Sequence, residues 1–257
     1  MSVVKGNKVD VSKLTFSDVK TNSNNGKSVY INNGGIFRLQ TPVMTLPYDM
    51  SVYEGDYPKY TIEVSFRDME DNTKMQAFHD NMEALDELII NTAVKNSMPW
   101  FKKKKSNVEV MNALYNPIVK KSKDKETGEF NGAYPPTMRL KLPVYDGERK
   151  YEVYNLNDDS KMDDIEPSEV FTKGTKVQAI IKCGGVWIIN GKFGCTWSVE
   201  KIKVEPSAKV TSYSFVDEDS DDEEENKSKS NTKSNVVEDS DEEESDDDDE
   251  EEDEDSE

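Results

Sequence analysis

Apolar and polar positions alternate by two over residues 36–41, Ile36-Phe-Arg-Leu-Gln-Thr41, until Pro42 removes the next backbone donor. The pattern recurs over residues 59–66, where Tyr60, Ile62, Val64 and Phe66 share one side. Both segments are predicted strands. The spacing then changes. Behind Thr73-Lys-Met-Gln76, which matches a capping box, Met75, Phe78, Met82, Leu85 and Ile89 recur at intervals of three and four. That is a helix over residues 73–97, closed by Pro99, with Glu83, Asp86 and Glu87 expected toward solvent. Further strands are expected through 111–119, at 137–144 and at 151–154.

The sharpest local signal is Asn190-Gly191 between two long apolar-polar runs, 177–189 and 192–204, because a two-residue type I′ turn wants positive φ at both positions. It fixes a register in which Ile189 pairs with Lys192, Ile188 with Phe193, Trp187 with Gly194 and Val186 with Cys195. Val186, Ile188, Phe193, Cys195, Trp197 and Val199 then form the core face. Trp187, Ile189, Lys192, Thr196 and Ser198 form the other. Unbroken alternation puts Cys183 on the Trp187 face, away from Cys195, so no disulfide is expected. Neither cysteine sits in a C-x-x-C, and reduced thiols are the default.

Five to seven strands with one inserted helix suit a mainly β fold, a small partly closed barrel of the OB type, with a β-sandwich as the rival. The expected organisation is a flexible N-terminal arm (1–30), an OB-fold domain (31–208) and a disordered acidic tail (209–257). No apolar run is long enough to span a bilayer and no secretory leader is visible, so an intracellular protein without membrane contact is expected.

Charge changes this picture. Residues 217–257 hold 25 acids and 3 lysines, which leaves 30 basic and 28 acidic residues of the chain's 33 and 53 for the rest. The formal charge of -20 therefore belongs to the tail, and the domain is close to neutral. Within it, residues 95–141 carry 11 lysines or arginines against 4 acids, interleaved with Trp100, Phe101, Tyr115, Phe130 and Tyr134. Cations that follow phosphates beside aromatic faces that stack on bases are how single strands are held. The candidate nucleic-acid-binding residues are Trp100, Phe101, Lys102, Lys103, Lys104, Lys105, Tyr115, Lys120, Lys121, Tyr134, Arg139, Lys141, Trp187 and Lys192. The competing reading buries Trp100 and Phe101 where the helix ends and leaves the lysines solvated.

Catalytic chemistry is poorly supplied. His79 is the sole histidine and is expected at a helix surface or boundary, without neighbours for a metal. Residues 21–28 end like a phosphate-binding loop but have Thr21 where its first glycine belongs, and Asp158-Asp159 and Asp163-Asp164 lack calcium-loop spacing. No enzyme activity, metal or cofactor is expected. No duplex-reading signature appears, so binding should tolerate sequence.

Gly34-Gly-Ile-Phe-Arg-Leu-Gln-Thr-Pro42, residues 60–66, the helix, Pro99-Trp-Phe-Lys-Lys103, Tyr134-Pro-Pro-Thr-Met-Arg-Leu-Lys-Leu142 and Val186-Trp-Ile-Ile together resemble the replicative single-stranded-DNA-binding proteins of nucleo-cytoplasmic large DNA viruses. That family is similar to the one found in short-tailed coliphages. The resemblance implies an OB-fold that coats single-stranded DNA in viral replication, recombination and repair, within the replication compartment of an infected cell. It also implies an acidic tail that competes with DNA and recruits replication proteins such as polymerase, helicase or primase. The phage tails end in an aromatic residue, whereas this chain ends Asp255-Ser-Glu257, which puts tail-mediated dimerisation in doubt and leaves homo-oligomerisation open. A histone chaperone or DNA mimic, with the tail as the working part, is the alternative.

Overall fold

The computed structural model describes residues 3–22, 26–55, 57–102 and 107–205. Lys103, Lys104, Lys105 and the acidic tail lie outside the described residues. The strands that carry the argument are β1 (Arg38–Gln40), β2 (Met44–Thr45), β3 (Lys59–Ser65), β4 (Thr137–Leu142), β5 (Lys176–Ile189) and β6 (Lys192–Val204). They belong to one mixed sheet of 13 strands, many of only two or three residues, so the expected five to seven strands describe its longer members. Neighbour follows neighbour from β5 through β2, β3 and β4 to β6, and β6 pairs back with β5, closing a ring. Two of its joints are narrow, Thr45 opposite Ser65 and Lys141 opposite Ser198.

Inside the ring stand the alternate residues the pattern predicted: Ile62 and Val64 on β3, Met138, Leu140 and Leu142 on β4, Val186 and Ile188 on β5, Phe193, Trp197 and Val199 on β6. Helix α1 (Thr73–Lys95) adds Met75, Phe78, Met82, Leu85 and Ile89, all buried. At about 1.5–3 kcal/mol per fully buried large side chain, this stripe supplies most of what holds the helix to the sheet. Its cap is one residue earlier than the box predicts: Asn72, whose side chain accepts from the Lys74 and Met75 backbone N–H groups. The helix stops at Lys95, and Pro99 sits in a following helical turn, α2 (Ser97–Phe101). Among the described residues no helix is long and apolar enough to cross a membrane.

Three expectations fail here for physical reasons. The segment expected as a strand from 111 begins as a helix, α3 (Val108–Leu114), because Asn107 caps it by accepting from Val110 N–H at 2.9 Å and only Met111 turns inward. Short strands appear only after it, at Tyr115–Asn116 and Val119–Lys120. The first residues, expected as an arm, pack against the domain: Val4–Lys5 pairs with β1, Val9 and Leu14 are buried, and Asn81 donates to the Gly6 carbonyl at 2.8 Å. Asp86, expected in solvent, is buried beneath the chain that leaves α3. It accepts from the Tyr115 hydroxyl at 2.6 Å and from the Ile118 and Val119 backbone N–H groups at 3.0 and 3.2 Å.

The β5–β6 hairpin has the predicted register at all four pairs, with Asn190 and Gly191 at positive φ. The alternation then breaks. Cys183 pairs with Trp197 and Val186 with Cys195, so Gly184 and Gly185 together oppose Thr196 alone, a β-bulge. Cys183 is thereby turned to the core side, and its sulfur lies 3.5 Å from that of Cys195. The expectation that the two cysteines point apart is incorrect.

Candidate nucleic-acid interface

Paired residues of a sheet share a face, so register alone assembles the outer surface. Crossing the strands in turn, Arg38, Lys182, Ser198, Lys141, Thr61 and Ser51 form one transverse row. None of the six is buried. Along β4 the same face carries Thr137 and Arg139. Along β6 it carries Thr196, Gly194 and Lys192, and Trp187 lies opposite Gly194. Trp187 is half-buried because its ring covers Gly194, where a Cβ would come within 2.8 Å of it. Arg139, Lys141, Trp187 and Lys192, far apart in sequence, therefore share one surface.

The cations on this face differ in availability. Glu63 on β3 holds two of them, Lys120 Nζ at 3.3 Å and Arg139 Nη2 at 3.0 Å, and accepts from Thr137 Oγ1 at 2.9 Å. Burial alone pushes Glu63 up, but Lys120, Thr137 and Arg139 together outweigh it and hold the carboxyl below its usual range. Glu200 likewise takes Arg38 at 2.6 Å and Lys182 at 3.9 Å. Lys141 and Lys192 have no carboxylate partner among the described residues.

At the β3 end of the row is a cluster that the sequence reading missed. Tyr53, Tyr57 and Tyr145 are exposed, Tyr57 by 88%; Tyr57 and Tyr145, with Pro58, Lys59, Lys141 and Pro143, line a cleft of about 490 Å³, and Tyr53 lies beside it, paired with Lys59. Lys59 Nζ lies 5.5 Å from the Tyr53 ring centre. Scattered over residues 53–59 and 145, these residues show no periodicity. Their signal is only that three large aromatics occupy loop-like stretches with no core pattern to absorb them.

Other candidates go elsewhere. Trp100, 3% exposed, packs near Phe16 with ring centres 6.4 Å apart, and Tyr115, 9% exposed, lies against Phe193 at 5.0 Å, so neither ring is free to stack on a base. Burial, and then the neighbouring Asp86 charge, push the Tyr115 hydroxyl well above its ordinary pKa. Phe101 packs edge-on against Phe193 at 5.2 Å. Lys102, exposed at the end of α2 with φ 57°, shares a small cleft with Lys27 and the hairpin tip at 189–191. Lys121 is tied to Glu83 at 2.5 Å. Tyr134, 72% exposed, stands with Phe130 over a separate cleft of about 590 Å³ of mixed charge, lined by Asp68, Glu70 and Asp71 but also by Arg67 and Lys121.

His79 is buried rather than at the surface, edge-on to Phe66 at 5.2 Å, and its Nδ1 lies 3.2 Å from Asp80 and 3.8 Å from Glu83. These three bring ligand-type atoms within 4.8 Å of one another, neighbours that the sequence did not reveal. The Lys121 ammonium on Glu83 already supplies a cation there.

No curated protein matches the chain. Among solved structures it is similar to gp2.5, a single-stranded DNA binding protein encoded by bacteriophage T7, at 12% identity over 72% of this chain and 98% of that one, with a TM-score of 0.42. It is also similar to the single-stranded DNA-binding protein from bacteriophage Enc34 in complex with ssDNA, at 12% identity over 76% and 96% of the two chains, with a TM-score of 0.39. The family model described as a family of unknown function, DUF5871, matches residues 62–217, more than half of the sequence. The chain belongs to that family.

Proposed function

We propose that this protein binds single-stranded DNA without reading its sequence, on the outer face of an OB-type barrel. The observation that carries the reading is the transverse row through Lys141, beside which the exposed tyrosines 53, 57 and 145 lie. Lys59, Lys141 and Lys192 would follow the phosphates, while Tyr53, Tyr57, Tyr145 and the edge of Trp187 offer ring faces to bases, at about 1–3 kcal/mol per stacked base. Arg139 and Lys120, oriented by Glu63, are held ready to exchange that carboxylate for a phosphate. Any base has a ring face and any nucleotide a phosphate, so the arrangement favours coating over recognition. The role we assign is protection of single strands in the replication, recombination or repair of a large DNA virus. The acidic tail would act as a covalently attached competitor that DNA displaces, freeing it for replication proteins.

The test is fluorescence anisotropy of the full chain with a labelled oligonucleotide, single- and double-stranded, over a salt series. A clear single-strand preference with log affinity falling linearly with log salt supports the reading. Lys141→Ala should weaken binding and reduce the salt slope by roughly 0.7, the share of one phosphate contact on a single strand. Equal affinity for duplex, or binding only to basic proteins, would overturn it.

A further inference from the structure

We propose that Cys183 and Cys195 are an intramolecular disulfide site, a covalent clamp at the root of the hairpin that carries Trp187 and Lys192. The two sulfurs already touch, at 3.5 Å, against about 2.04 Å in a disulfide, so closure needs a movement of under about 2 Å. What brings them together is specific. Without the extra residue on β5, Cys183 would face outward, and it faces Cys195 only because Gly184 and Gly185 bulge. Gly185 has φ 89°, and a Cβ there would meet the Val29 carbonyl oxygen at 2.5 Å, so the bulge requires glycine at this point. The inference is independent of what the outer face binds.

The oxidant is a low-molecular-weight disulfide. Cys195, less buried as a residue than Cys183, is the sulfur the oxidant meets first once the hairpin root opens, since the thiol itself faces the core. Its thiol gives a proton to solvent, and the thiolate attacks one oxidant sulfur, breaking the oxidant's S–S bond and expelling a thiolate that takes up a proton. Cys183, deprotonated in turn, attacks Sγ of Cys195, forms the internal bond and expels the second small thiol. Two protein thiols are oxidised, one small disulfide is reduced to two thiols, and two electrons pass between them. The adjacent Cys183 sulfur, and then burial, push the Cys195 thiol well up, so the first step should accelerate as pH rises.

The experiment treats the full native chain with oxidised glutathione at mildly alkaline pH and follows free thiols, intact mass and melting temperature. Loss of both thiols, a mass lower by two hydrogens, a single peptide joining residues 183 and 195, and a raised melting temperature that thiol reductant restores are the expected results. Cys183→Ser should stop at a glutathione adduct on Cys195. Greater hydrogen-exchange protection of residues 186–193 in the oxidised wild type provides a readout that needs no variant. Thiols that remain free until the protein is denatured, separate adducts on both cysteines, or links between chains would each overturn the assignment.

Discussion

At the scale of single residues, Asp86 shows how a buried carboxylate is made useful. Burial pushes it up to about 6, while the Tyr115 hydroxyl and the Ile118 and Val119 N–H groups oppose that rise. Asp86→Asn keeps one acceptor oxygen and turns an amide toward groups that themselves donate. Urea unfolding at pH 7 should show a loss of about 1–3 kcal/mol, the cost of orphaned buried donors. The pH dependence has a definite sign. With a folded pKa of about 6 against 3.8 for the free group, the folded state binds more protons between those values. The Asp86 contribution therefore falls as pH rises through that window. Acidifying from pH 7 to 5 should favour wild type over the variant by roughly 1 kcal/mol more, from the linkage relation. Glu63 offers a functional counterpart: Glu63→Gln releases Lys120 and Arg139, and single-strand affinity at low salt should rise, with the gain fading as salt screens it. Neither role was legible in the sequence. Asp86 sits 29 residues from Tyr115, and Glu63 sits 57 and 76 residues from its cations, so only the fold makes them neighbours.

Elements were legible where the physics that sets them is local. The Asn190-Gly191 turn needs only its own backbone preferences, and the register it implies holds for four pairs. The helix stripe held for the same reason. What failed was set from outside. The bulge at Gly184-Gly185 exists because a strand from far upstream, Lys27–Val29, lies across Val186, Trp187 and Ile188, and the chain must turn to make room for the Val29 carbonyl. Alternation cannot register an inserted residue whose cause is 156 positions away, so Cys183 is expected on the wrong face while Cys195 is expected on the right one. Gly185→Ala tests this account, since the added methyl meets both an unfavourable φ and a backbone oxygen. Strain of this kind costs about 1–3 kcal/mol for the dihedral alone, and a lower melting temperature is expected. Gly191→Ala, with open space around it, should cost less. Equal melting temperatures would mean that the bulge is not held by its contact with Val29. The α3 segment failed differently: the strand expected over 111–119 loses its first residues to a helix that starts upstream, where the Asn107 cap accepts from Val110 N–H.

At the scale of the whole molecule, the sequence revealed two charge populations, but not the ring that displays one of them. Its narrow joints, Thr45 with Ser65 and Lys141 with Ser198, are single residue pairs that no periodicity could announce. Yet the second joint sets Lys141 beside β6, and so links the basic strand to the Trp187 hairpin. The other charge population is the acidic segment, 25 acids and 3 lysines in residues 217–257. Being joined to the domain, it is present at an effective concentration in the millimolar range, about what a linker of modest length provides. On the proposed reading, a polyanion at that concentration would occupy cationic sites that phosphates need, and DNA would have to displace it. Both interactions would then weaken with salt, the internal one first, because carboxylates bring charge without stacking. Removal of residues 217–257 should therefore tighten single-strand binding at low salt, the advantage shrinking toward nothing as salt rises, and should steepen the plot of log affinity against log salt. Parallel salt plots for the two proteins, or weaker binding after removal, would show that the tail does not compete for this face.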